Sequence, residues 1–212
     1  MTPVVFTDAS FGQNCYLIRA KNEVAVIDPG FNGEAILAYL AEKGYHLAMV
    51  LLTHAHYDHI RDLRLLQKTL EFPLYVHPLD VPFLTDDALN GSTYFHGSFR
   101  LRAGQPMIPV TDGMTIPFGT TAIKVIHTPG HTPGGVCYLY ENELFAGDTL
   151  FQGDLGRTDL AGGSARQLTD SIKKLFKGLS DGVVVQPGHE SKTTIGEERK
   201  TNHQVQAILK RI

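Results

Sequence analysis

Three imidazoles and one carboxylate crowd into the stretch Thr53-His54-Ala55-His56-Tyr57-Asp58-His59. A divalent metal needs neutral imidazole nitrogens and ionised carboxylates, and both exist near neutral pH. His54 and His56 are two residues apart, so an extended backbone points them the same way. Asp58 and His59 then turn away into the next element. The spacing therefore offers two ligands to one position and two to its neighbour. A polar loop merely rich in histidine is the plain alternative, and matching groups supplied from other segments decide against it.

Three other segments supply them. Thr128-Pro129-Gly130-His131-Thr132-Pro133-Gly134-Gly135 holds a histidine between two Pro-Gly pairs, a rigid frame for a residue whose position must be fixed. Gly147-Asp148-Thr149 carries a carboxylate, and Pro187-Gly188-His189 a further histidine. Each follows an apolar run of strand length. The grammar is buried strand, tight turn, ligand-type residue, and its recurrence points to one shared metal site.

The elements that must position these groups follow from the apolar pattern. Residues 47–52, Leu-Ala-Met-Val-Leu-Leu, suit a strand buried on both faces. Leu63, Leu66 and Leu70 then recur at helical spacing, so the first histidines sit on a strand-to-helix turn, continuing as a helix through Leu70. Such turns lie at the carboxyl edge of a sheet, where α/β folds hold ligands. Upstream, residues 4–7, 15–18 and 24–27 read as three short strands, with residues 11–14 as the first turn. Asp28-Pro29-Gly30 closes the third; Asp28 is open to two readings, a partner to a ligand histidine or a turn-forming residue. Asn32 is placed to cap a helix bearing Ile36, Leu37 and Leu40 and stopping at Gly44.

After a strand at 74–76 the pattern loosens from His77 to Pro106. Pro78, Pro82, Gly91, Gly97 and Gly104 punctuate an excursion loaded with Phe83, Tyr94, Phe95 and Phe99, which form its own small core or a substrate wall. Strands resume at Ile116, 123–126, 136–140 and 144–145. Ser164 caps a helix with Leu168, Ile172, Leu175, Phe176 and Leu179 on one face. A last buried strand at 183–185 precedes a closing helix lined by Val205, Ile208, Leu209 and Ile212. Both halves run from strands to a helix-bearing unit, which suggests two sheets face to face with helices outside.

Composition excludes other classes. At 212 residues and 42% hydrophobic content there is room for one large α/β domain or two small ones. A net charge of −3 is too balanced to suggest nucleic acid or an anionic membrane as partner. No apolar run approaches the ~18 residues of a membrane span. The first eight residues lack the basic and apolar regions of a secretory signal, so a cytoplasmic protein is expected. Cys15 and Cys137 lie in apolar strand contexts with no base nearby and read as buried thiols rather than catalysts.

In this order, THAHYDH, TPGHTPGG, GDTLF and PGHE resemble the motifs of the metallo-β-lactamase superfamily. GDTLF, Gly156-Arg157-Thr158-Asp159 and Thr193-Thr194-Ile195-Gly196-Glu197 are similar to those of hydroxyacylglutathione hydrolases (glyoxalase II) and their short bacterial relatives. The resemblance covers about residues 14–202. It implies an α/β fold, a four-layer αββα sandwich of two mixed sheets flanked by helices. One such domain would span residues 1–212, with an excursion at about 78–106 beside the cleft. Position by position, it implies a first metal on His54, His56 and His131, a second on Asp58, His59 and His189, and Asp148 bridging both. Zinc is the first choice, iron or manganese the alternatives. Three departures stand out. Arg61 and Asp62 replace a usual pair of glycines and are expected to crowd the cleft. The C-terminal helical domain of the larger glyoxalase II enzymes does not follow, and Asn202-His203-Gln204 replaces an Asn-Pro continuation.

The activity implied is hydrolysis of a small-molecule thioester such as S-lactoylglutathione to a 2-hydroxy acid and a free thiol. Two metals ~3.5–4 Å apart lower the pKa of a shared water towards ~7. Asp58 or Asp148 aims the resulting hydroxide, and the first metal steadies the oxyanion. Thiolates leave easily, so no strong general acid is required. Arg157 is a candidate to meet a substrate carboxylate or to order its own loop; His77 and His127 are candidate partners to ligands. His46, His96 and His203 are read as ordinary histidines. The alternative within this fold is a persulfide dioxygenase with one iron on His54, His131 and Asp148. Hydrolysis is preferred because every second-site ligand is present. A non-catalytic metal module is set aside by the full ligand set, and β-lactam hydrolysis by the lack of an export signal.

Overall fold

Strands β1 (Val4–Thr7), β2 (Asn14–Ala20), β3 (Glu23–Ile27), β4 (His46–Leu51), β5 (Leu74–Val76) and β6 (Met107–Pro109) line up in chain order as one six-stranded sheet. The pairings β1–β2 and β2–β3 are antiparallel, and those from β3 to β6 are parallel. A second six-stranded sheet holds β7 (Thr115–Phe118), β8 (Thr121–His127), β9 (Val136–Tyr140), β10 (Glu143–Gly147), β11 (Val184–Pro187) and β12 (Thr193–Thr194), again in chain order. Its one parallel pairing is β10 with β11. The computed structural model describes residues 2–210, so Ile212 of the expected closing helix lies outside the described residues.

Side-chain alternation along the strands makes the layers. Tyr16, Ile18, Ala25 and Ile27 point inward and meet Ile123, Val125, Tyr138 and Phe145 between the sheets. Their neighbours Cys15, Leu17, Val24 and Val26 point outward, against Ile36 and Leu40 of α1 (Gly33–Lys43) and Leu63 and Leu66 of α3 (Leu63–Thr69). Burial on both faces is why these strands read as continuous apolar runs. On the other side Cys137, Leu144 and Val185 pack against Leu168, Ile172, Leu175 and Phe176 of α5 (Ala165–Gly178). Helices α6 (Ile195–Thr201) and α7 (His203–Leu209) complete that layer, and the short α4 (Asp87–Asn90) belongs to the excursion. The αββα sandwich is as expected. Both cysteines are free and buried in opposite outer layers, so they cannot bridge.

Local signals held at several ends. Ser164 accepts the Gln167 N–H at the start of α5, and Gly44 ends α1 in the left-handed region at φ 64°. Asn32 does not cap α1; its amide turns to Gln13 Oε1 at 3.4 Å, and Asp62 Oδ2 takes the Gly33 N–H at 2.9 Å instead. The helix after the histidine cluster is also broken into α2 (Tyr57–Ile60) and α3. The Asp62 N–H turns to Gly30 O at 2.8 Å, which pulls the chain out of helical register there. Among the described residues no helix is long and apolar enough to cross a membrane.

Candidate metal centre

The carboxyl ends of β4, β8, β10 and β11 lead directly into His54, His131, Asp148 and His189. Convergence at one edge brings the ligand atoms of His54, His56 and His131 within 4.8 Å of one another, and likewise those of Asp58, His59 and His189. Asp148 stands between the two groups. Its Oδ1 is 3.3 Å from His59 Nε2, and its Oδ2 is 3.5 Å from His131 Nε2 and 3.8 Å from His189 Nε2.

Four of the five rings are aimed by a bond on the far nitrogen, the usual device for fixing a ligand's tautomer. The Thr53 hydroxyl donates to Asp28 Oδ2 at 2.5 Å and so accepts from His54 Nδ1 at 3.1 Å. His59 Nδ1 lies 3.0 Å from Asp28 Oδ2, His131 Nδ1 donates to the Arg157 carbonyl at 2.8 Å, and His189 Nδ1 to the Phe11 carbonyl at 3.2 Å. His56 Nδ1 is 2.8 Å from His131 Nε2. Asp28, His54 and His59 also meet the spacing for a metal. Asp28 is committed elsewhere, however: Oδ1 takes the Thr53 N–H at 2.8 Å while Oδ2 serves Thr53 and His59. Of the two readings of Asp28, the structure supports the ligand's partner. It holds that place from a left-handed backbone at φ 49°.

The residues fit cations on a direct observation. Buried and without a hydrogen-bond partner are His54 Nε2, His56 Nε2, His59 Nε2 and Asp148 Oδ1. The 3.3 Å approach of the last two lacks hydrogen-bond alignment. Orphaned buried polar atoms are costly, and here they cluster on candidate ligands. Charge agrees. Burial, reinforced by neighbouring rings, pushes His54 well below its ordinary pKa, and burial with His131 beside it brings His56 down to about 3, so both are neutral as ligands must be. At His59 burial opposes the charged form, but Asp148, Asp58 and Asp28 outweigh it and hold the pKa well above normal. His189 is raised in the same way, against burial, by Asp58 and Asp148. Burial works against charge on Asp58 and Asp148 too, yet His59 and its neighbours keep both carboxyls low. Packing around the site is tight: a Cβ on Gly188 would collide with Asp148 Oδ1 and come within 2.8 Å of His59 Cε1.

Asp80 is a site residue that no local motif announces. Fully buried in the 3-10 turn Pro78–Leu84, it accepts the Ala55 N–H at 3.1 Å and the Thr132 hydroxyl at 2.8 Å on Oδ2, and the Gly134 N–H at 2.7 Å on Oδ1. One carboxylate thus ties the His54–His56 loop to the His131 loop. Burial raises its pKa, and those three donors pull it back.

A cleft of about 400 Å³ opens above the ligands. Asn90, Gly91, Tyr94 and Phe95 of the excursion form one wall; Arg157, Asp159 and Leu160 form the other. Phe83 and Phe99 are buried in the core instead, so the aromatics divide between the two roles. Two expectations are corrected. Arg61 and Asp62 do not crowd the cleft: Arg61 pairs with Asp62 Oδ1 at 2.9 Å and lies 4.9 Å over the Phe31 ring, both turned to the entry of α1. His77 and His127 contact no ligand; they stack on each other at 4.1 Å and 8°, and His127 Nε2 meets the Pro133 carbonyl at 3.0 Å. Arg157 spends two donors on Asp159, at 2.7 and 2.8 Å.

Residues 10–189 match the metallo-beta-lactamase superfamily, and the chain belongs to it. It is 34% identical over 191 residues to the probable metallo-hydrolase YqgX of Bacillus subtilis, covering 89% of this chain and 90% of that one. Among solved structures it superposes on BLEG-1, a B3 metallo-beta-lactamase, with a TM-score of 0.88 at 35% identity over 96% of this chain and 99% of the other. TTHA1623, solved in a di-iron-bound form, gives 0.81 at 34% identity over 96% of this chain and all of its own, 100%.

Proposed function

We propose that the protein is a two-metal hydrolase that cleaves a small-molecule thioester such as S-lactoylglutathione to a 2-hydroxy acid and a thiol. The observation that carries this is the reach of Asp148 to ligands of both groups, His131 on one side and His59 on the other. His54, His56 and His131 would hold one cation, Asp58, His59 and His189 the other, with Asp148 shared. The donors are nitrogen and oxygen only, a set that zinc and iron both accept, and TTHA1623 in its di-iron form keeps iron in play beside zinc.

Bound cations would polarise the carbonyl and lower the pKa of water towards ~7. The chain's own groups do the rest. Asp58, which lines the cleft and is kept ionised, would accept a hydrogen bond from the attacking water and steer it. Tyr94, Phe95 and Leu160 line the cleft with apolar and aromatic surface against which a substrate can pack. A thiolate leaves without a proton from the protein, so this cleft needs no strong acid.

The likeness to BLEG-1 motivates a second reading, hydrolysis of a β-lactam amide by the same machinery. One set of assays separates the cases: thiol release from S-lactoylglutathione, opening of a chromogenic cephalosporin, and oxygen uptake with glutathione persulfide. Thiol release that persists without oxygen and is lost in Asp148→Asn is the expected result. Cephalosporin opening without thiol release selects the second reading, and persulfide-dependent oxygen uptake overturns hydrolysis altogether.

A further inference from the structure

We propose that Arg157 and Asp159 are positioning residues for His131, setting the carbonyl that aims its ring, rather than anchors for substrate. The inference rests on the metal reading above but not on the thioester.

His131 Nδ1 donates to the Arg157 carbonyl at 2.8 Å, so the plane of that peptide fixes where Nε2 points. The segment carrying the carbonyl is gripped on both sides. Upstream, Phe151 and Asp154 close a tight turn at 3.0 Å, which Glu198 and Asn202 hold from α6 and its end: the Gly153 N–H reaches Glu198 Oε2 at 2.9 Å, and the Asn202 amide reaches the Asp154 carbonyl at 3.2 Å. Glu198 is fully buried and, among the described residues, pairs with no cation. Its remaining capacity goes to the Thr193 hydroxyl at 2.7 Å and the Asn202 amide at 2.8 Å. Gly156 lies against the Asp148 carbonyl with no room for a Cβ. Downstream, the Ser164 N–H bonds the Gly130 carbonyl at 2.8 Å, returning the segment to the loop of His131 itself.

Between these grips the restraint at residue 157 is its own side chain. The guanidinium meets both oxygens of Asp159 as a two-pronged fork, the geometry that holds an arginine most firmly. Both partners are largely exposed, 61% and 68%, so the pair adds little to global stability. Its effect is local: it sets the pitch of the peptide whose oxygen faces His131. A guanidinium so committed also has fewer donors left for a substrate carboxylate.

The test starts from zinc-loaded protein and strips it against a chromogenic chelator, in wild type, Arg157→Ala, Asp159→Asn and the double variant. One of the two zinc equivalents is expected to weaken by about ten- to a hundredfold while the other holds. The double variant should be no worse than Arg157→Ala, because one fork is broken either way. Cobalt substitution should change the visible absorption of the same equivalent, and Glu198→Gln, acting from the upstream grip, should weaken it too. Unchanged zinc affinities with a raised KM for S-lactoylglutathione overturn the proposal in favour of a substrate anchor. Equal weakening of both equivalents with a lowered Tm overturns it in favour of a general structural role. Should no variant or wild type cleave the thioester, the substrate reading fails while the zinc affinities still decide this one.

Discussion

Tyr16 and Tyr138 exchange hydrogen bonds across the two sheets in opposite directions. The Tyr16 hydroxyl, from β2, donates to the Pro187 carbonyl at 2.7 Å; the Tyr138 hydroxyl, from β9, donates to the Leu52 carbonyl at 2.9 Å. Each carbonyl lies two residues ahead of a ligand, His189 and His54. Burial pushes both phenols above their ordinary pKa, so they remain donors. Tyr138→Phe leaves the buried Leu52 carbonyl short of a partner, whereas in Tyr16→Phe the Pro187 carbonyl keeps the Asn14 amide at 3.2 Å. Tyr138→Phe should cost about 1–3 kcal/mol in urea unfolding and Tyr16→Phe about 0.5–1.5 kcal/mol. No loss in either variant would mean that packing alone sets the spacing of the sheets.

Purified, metal-replete protein should carry about two metal equivalents, with about one lost in Asp58→Asn or His189→Ala. Uptake should also release protons, because the raised pKa values of His59 and His189 leave them protonated in the metal-free site. The sign follows: affinity falls as pH drops below those raised values and levels off above them. Calorimetry in buffers of different ionisation enthalpy reads the proton count. A stoichiometry fixed at one speaks for the mononuclear alternative.

Asp80→Asn keeps the volume but exchanges one acceptor oxygen for an NH₂ facing a donor. Metal affinity should fall about 10–100-fold, through the loss of register between the His56 and His131 loops. Chelator competition measures it; wild-type affinity in the variant would show that the two loops hold themselves.

Phe95 and Phe99 separate the two roles of the excursion. Phe99→Ala, at a site 1% exposed, should cost about 3–5 kcal/mol of stability. Phe95→Ala, on the cleft wall, should raise KM while moving Tm far less. Unfolding of both variants would make the wall part of the core.

Much of this was legible because the ligands obey one local rule. A short apolar strand followed by Pro-Gly or Gly-Asp announces a residue held at a sheet edge, and His131, Asp148 and His189 all stand at such places. Asp80 also follows a short strand, β5, but the turn there is His77-Pro78-Leu79 with neither Pro-Gly nor Gly-Asp, so nothing local marks it. Strands β6 and β12, of three and two residues, are too short to show a period. The direction of Arg61 is set by Phe31 and Asp62, contacts between residues thirty positions apart and next door, and residue spacing cannot choose between them and the cleft.

The absence of space at Gly188 has a consequence for how such a protein can change. Even a methyl group there would strike Asp148 and His59, so the metal floor offers almost no latitude for retuning. Tyr94, by contrast, is 75% exposed at the cleft rim and supports nothing beneath it that binds metal. Novelty is therefore cheap on one side of the cavity and forbidden on the other: substrate preference can drift through the excursion while the chemistry below stays as it is.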